Sequence, residues 1–121
     1  MDRMLFMTLV LALLGVCFLF MGVVAPRGEF LGLNYQQMPG INTPTTTATL
    51  GAWKAAHRTV SSINICIALY YFVSLVAIWV SGVKLTEVLF VAIISVGLLM
   101  FIPVILVANK AAQAELDADA G

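Results

Sequence analysis

His57 is the only histidine in the chain, and Glu29 is the only carboxylate in the stretch from Pro26 to Arg58 that contains it. An imidazole among Thr and Asn side chains has three uses: it can bond a backbone group and fix local structure, take up a proton near neutral pH, or ligate a metal. A metal needs several nitrogen, oxygen or sulfur ligands close together. One carboxylate does not supply them, so no metal and no other cofactor is expected. Trp53 lies four residues before His57, and its indole is either an anchor at a membrane interface or a platform for a ligand. Lys54 and Arg58 are also four apart and suit anionic lipid headgroups or a protein partner. Asn64 follows in an otherwise apolar run. It serves either as a helix–helix hydrogen bond or as part of one polar site with His57 and Asn42.

Other chemistry finds no residues to carry it. The chain shows no Ser/His/Asp set with a nucleophile elbow and no phosphate-binding glycine loop. Cys17 and Cys66 stand inside apolar runs, where thiols usually act as small apolar groups. An enzyme is not expected. Six Lys/Arg balance six Asp/Glu, so there is no basic excess to neutralise phosphates, and nucleic acid is excluded as a partner.

The elements that must position these residues are set by composition. Of 121 residues, 62% are hydrophobic and 10% charged, with a mean hydropathy of +1.06. Soluble domains carry roughly a quarter charged residues, so an integral membrane protein is expected, with the lipid bilayer as its first partner. Uncharged runs predict spans at about 4–25, 60–81 and 88–108. Each is long enough to cross about 30 Å of hydrocarbon as a helix, and a bilayer leaves the backbone no other choice in such a segment. The first run exceeds the roughly 7–15 apolar residues of a signal peptide, and Pro26 follows its end, so it reads as a retained span. None of the three contains an Asp, Glu, Lys, Arg or His, which argues against proton or ion pumping.

The short Ser81–Glu87 link predicts an antiparallel hairpin of spans two and three, with Thr86 as N-cap and Glu87 in the first turn. Pro103 should kink span three. Residues 111–121 read as a mobile acidic tail. Gly15, Gly22 and Gly97 are candidates for close helix approach. Three spans place Arg3 and Lys84 on one side and Arg27, Lys54, Arg58 and Lys110 on the other. The positive-inside rule then makes the 26–58 connection and the C-terminus cytoplasmic.

That connection is longer than a hairpin requires, and long loops in small proteins tend to carry function. Phe30, Leu31, Leu33, Tyr35 and Met38 are interleaved with turn formers in its first half, as in a layer at a membrane interface. Thr46, Thr47 or Thr49 should cap a short helix with Leu50, Trp53, His57 and Val60 on one face. The second half resembles the signature of the SdpI family of bacterial membrane proteins. Gly40-Ile41-Asn42-Thr43-Pro44-Thr45-Thr46 is similar to the family's G-[IV]-R-T-P-x-T segment. Trp53 follows Gly40 by thirteen residues, and His57-Arg58 follows four later. Asn42 stands where the family has Arg, and Met38-Pro39 where it has Pro-Asn.

The resemblance covers about residues 4–108. It implies one all-α, three-span domain in a bacterial cytoplasmic (inner) membrane, with immunity to a membrane-active toxin or signalling by holding a repressor. The recognition surface it implies draws on Gly40, Asn42, Thr43, Pro44, Thr46, Trp53, His57 and Arg58. On physical grounds alone, a non-catalytic accessory subunit packing against a larger membrane complex fits as well. The expected protein partner is thus a membrane complex, a toxin peptide or a repressor.

Overall fold

The computed structural model describes residues 2–120. Its elements run α1 (Arg3–Val23), a single 3₁₀ turn (Ala25–Arg27), β1 (Glu29–Phe30), β2 (Leu33–Asn34), α2 (Leu50–Thr59), α3 (Ser61–Ser81) and α4 (Glu87–Ala120). The protein is all-α apart from the two-residue antiparallel ribbon β1–β2. Three helices, α1, α3 and α4, are long and apolar enough to cross a membrane.

Glycines let α1 and α3 approach. A methyl group at Gly15 would lie 2.7 Å from the Phe72 ring, and one at Gly22 would lie 2.6 Å from the Ile65 side chain. As α1 advances seven residues its partner on α3 recedes seven, so the two helices run antiparallel. Phe18 stacks on Tyr71 at 5.8 Å and meets Phe101 edge-on at 5.0 Å, joining α1, α3 and α4 at one level. Tyr71 also covers Gly97, where any side chain would collide with its ring. The Tyr70 and Tyr71 hydroxyls donate to the carbonyls of Ile93 and Ile94, at 2.8 and 3.1 Å. Pro103 removes the donor of one carbonyl a turn earlier, but α4 continues through it as one helix.

At the far end from the connection, Thr86 caps α4 by accepting from the Leu89 N–H at 3.2 Å. Glu87 pairs there with Arg3 at 2.7 Å, which places the start of α1 beside the α3–α4 link. Both groups are largely exposed, so the pair contributes little to stability.

Two expectations are corrected. Residues 111–120 are not a loose tail but the last turns of α4, which at 34 residues is about 50 Å long. The reason is packing. Ala108 and Ala112 on α4, and Ala52 and Ala56 on α2, are all completely buried, with the same four-residue spacing on each helix. Small side chains let α2 lie close against the part of α4 that extends past a bilayer's thickness. Glu115 reaches the first turn of α2 beside Gly51, where a carboxylate complements the helix dipole.

The second correction concerns the buried face of α2. It comprises Ala52, Trp53, Ala56 and His57, continuing to Val60, while Leu50 stays 42% exposed over Gly28. The alanines, too small to register as an apolar stripe, carry the contact. Replacing Ala56 by Leu should overpack this seam and cost about 1–3 kcal/mol, read as a lower thermal midpoint in detergent. Ala55→Leu, on a half-buried position, should change it far less.

Candidate functional site

Between β2 and α2 the chain folds into a cap over the adjoining ends of α1, α3 and α4. Its local turns come from threonines. The Thr43 N–H donates to Thr46 Oγ1 at 2.9 Å and the Thr46 N–H returns to Thr43 Oγ1 at 3.1 Å. Thr46, fully buried, donates its hydroxyl to the Ile41 carbonyl. Thr47 donates to the Thr43 carbonyl at 2.7 Å. Thr49, of the three candidate caps, is the one that opens α2, accepting from the Ala52 N–H at 3.0 Å.

Three polar tethers tie this cap down. The Thr43 hydroxyl donates to Asn109 Oδ1 on α4 at 2.6 Å. The Trp53 indole N–H donates to the Ala25 carbonyl at 2.6 Å, which also accepts the Gly28 N–H at 3.1 Å. Outside the cap, Ser61 donates to the Gly22 carbonyl, left without a helical donor because Pro26 has no N–H. His57 is the third tether. Its Nε2 accepts from the Ile41 N–H at 3.0 Å, and its Nδ1 lies 2.9 Å from the Trp53 carbonyl. A backbone N–H can only donate and a carbonyl can only accept. The two partners therefore fix a neutral imidazole protonated on Nδ1.

The aromatic packing follows from these bonds. The Trp53 and His57 rings lie 3.9 Å apart, with Tyr35 6.0 Å from Trp53. Gly40 closes against both. A methyl group there would stand 2.8 Å from His57 Nε2 and 2.8 Å from the indole. Trp53, His57 and Thr46 are fully buried, so they hold the cap together from inside. Of the expected recognition residues only Asn42, Pro44 and Arg58 are exposed, and the Asn42 amide turns back to the Gly40 carbonyl at 3.3 Å. Tyr35 and Met38 pack inward toward Trp53, Phe30 meets Phe20 of α1 edge-on, and Leu31 and Leu33 are exposed.

Asn64 joins no polar site. It is fully buried, and neither polar atom of its side chain has a hydrogen-bond partner among the described residues. It shares its face of α3 with Ile67, Ala68 and Tyr71. The expected bond between helices is not formed, and His57 and Asn42 are engaged elsewhere. Both cysteines are free and exposed. No group of three or more His, Cys, Asp or Glu gathers among the described residues.

Asn109 and Ser61 were not singled out by sequence reasoning. Asn109 breaks the apolar run just before Lys110, which reads as the end of a span. Its polarity at that boundary was the available signal. Comparisons with family models, with curated proteins and with solved structures return no match for this chain.

Burial holds the His57 imidazole below its ordinary value of 6.5, and the bond to the Trp53 carbonyl offsets only part of this. Between the two values the unfolded chain binds a proton that the folded chain refuses. Stability is thus complete above about pH 6.5 and declines as pH falls from there toward the lower folded value. Thermal midpoints taken from pH 8 down to pH 5 should drop in the wild type, and the part due to His57 should vanish in His57→Gln. Gly40→Ala should lower the midpoint at every pH, by about 1–3 kcal/mol of stability, because two rigid rings stand where its methyl would go.

Proposed function

We propose that this chain is a multi-pass membrane protein that acts without catalysis, as an SdpI-like protein of a bacterial cytoplasmic membrane. In this reading it confers immunity to a membrane-active toxin or signals by holding a soluble regulator. The cap is its recognition element.

The observation that carries the reading is the closure of Gly40 and Ile41 onto Trp53 and His57. The thirteen- and four-residue spacings that produce the resemblance are those the cap needs to shut. A glycine must fit against the indole, and an imidazole one helical turn further on must reach the next N–H. Mutually satisfied buried groups of this kind give a rigid surface, and rigidity lowers the entropy lost when a partner docks. What a partner would meet is Asn42, Pro44 and Arg58. With Asn42 in place of the family's Arg, that surface offers an amide where a charged, bidentate donor would stand. Four basic residues at the cap end against two at the other favour a cytoplasmic cap, on the side where a soluble regulator would be found.

A second reading, the accessory subunit, draws support from α4. Within its apolar stretch only Gly97, Val104 and Ala108 are buried, and most of the helix, including Val91, Leu99 and Leu106, is exposed. Such a helix can face lipid or a larger membrane partner.

Expression of the chain alone in toxin-sensitive cells tests the first reading. Protection is expected with the wild type, with loss in Arg58→Ala and no loss in Lys110→Ala. Absence of protection, together with recovery of the protein only in a stoichiometric complex with larger membrane proteins, would favour the subunit.

A further inference from the structure

The β1–β2 turn holds a residue that neither its backbone nor water favours. Leu31 has φ +49° and Gly32 φ +84°, the double positive-φ pair of the tight hairpin turn that prefers Asn, Asp or Gly at its first central position. A leucine there is strained, and this one is 87% exposed. Beside it Phe30 packs edge-on against Phe20 of α1 at 5.4 Å. Each of these two rings lines a hollow. One is an apolar groove of about 290 Å³ along α1, lined by Val16, Leu19, Phe20, Val23 and Val24. The other, of about 450 Å³, is lined by Arg27, Glu29 and the hairpin tip Phe30–Gly32.

Arg27 and Glu29 line the same hollow, yet neither forms an ion pair among the described residues. A guanidinium and a carboxylate that line one hollow without pairing to each other are complementary to a group carrying both charges.

We propose that these two hollows form a single phospholipid site selective for a zwitterionic phosphoethanolamine headgroup. The phosphate meets Arg27, the primary ammonium donates to Glu29, and one acyl chain runs along the α1 groove beneath Phe30. Leu31 then rests among neighbouring lipids, which accounts for an apolar side chain at a strained, exposed turn. Phosphatidylcholine fits less well, because its quaternary ammonium has no N–H to donate. Phosphatidylglycerol offers Glu29 only neutral hydroxyls in place of a cation, a weaker match for a carboxylate. The inference rests on the membrane reading and is independent of the SdpI-like function.

Native mass spectrometry tests it, on protein released from bilayers of equal phosphatidylethanolamine, phosphatidylcholine and phosphatidylglycerol with matched chains. One retained phosphatidylethanolamine is expected, favoured about tenfold over phosphatidylglycerol, the worth of one charge-assisted hydrogen bond. Glu29→Gln should bring that ratio close to one. Arg27→Gln should reduce retention of all three, and both positions are exposed, so folding is not at stake. Val23→Trp, which fills the groove, should reduce retention while leaving the headgroup ratio unchanged. Soluble glycerophosphoethanolamine, lacking chains, should not be retained. Equal retention of the three lipids, a preference for phosphatidylglycerol, or an unchanged ratio in Glu29→Gln would overturn the proposal. Flotation with liposomes separates the levels. A protein that floats but shows no headgroup preference refutes only the lipid site, whereas one that does not float refutes the membrane reading as well.

Discussion

The cap depends on one backbone donor, the Ile41 N–H, and on the His57 nitrogen that accepts it. A buried N–H without a partner costs about 1–3 kcal/mol, and here the chain has left helical structure, so no carbonyl of its own helix is in reach. His57 answers with Nε2, and can do so only because Nδ1–H is committed to the Trp53 carbonyl. The imidazole therefore works as a rigid, neutral strut between a loop and a helix turn. Gly40 has to be small for the strut to close, and Trp53 must stack where it does for Nε2 to point at the loop.

From that strut the other contacts follow outward. Trp53 donates to the Ala25 carbonyl just past α1 and Ser61 to the Gly22 carbonyl at its end, so the start of the connection is bound to α2 and α3. Thr43 reaches Asn109, binding the motif loop to α4. The extra length of α4 then acquires a purpose, since it is the wall against which the alanine face of α2 rests. A 34-residue helix does not end where a bilayer would end, because it has a second packing partner beyond it.

Two kinds of burial therefore coexist in one small chain. The α1–α3–α4 seam is closed by aromatic rings over glycines, and its large apolar remainder is left outside. The cap is closed by hydrogen bonds and small residues, and it leaves only a few polar groups exposed. Outward, these regions present an apolar helix face, a polar cap, and a hairpin whose leucine is turned away from the protein.

The three long helices were legible in the order of residues, because a charge-free apolar run of about twenty has one workable structure where water is absent. Thr86 as a cap, one of three threonines as the cap of α2, and glycine as the means of helix approach were legible for the same local reason. The spacing of Gly40, Trp53 and His57 could be seen as a pattern, but its meaning could not. Whether the indole and imidazole face outward or inward depends on what lies against them, and that is the Gly40–Ile41 loop and the turn at Ala25, well before them in the chain. The fate of residues 111–120 was likewise a tertiary matter. Their acids and alanines are compatible with a solvated tail, and only the arrival of Ala52 and Ala56 makes burying Ala112 worthwhile. Asn64 stands as the converse case, since its polarity foretold a hydrogen bond between helices that the packed seam does not provide. Local sequence determines which backbone form a segment can adopt. The side on which each polar group finds a partner is decided by contacts between segments far apart in the chain, because hydrogen bonds and close packing are satisfied only where surfaces meet.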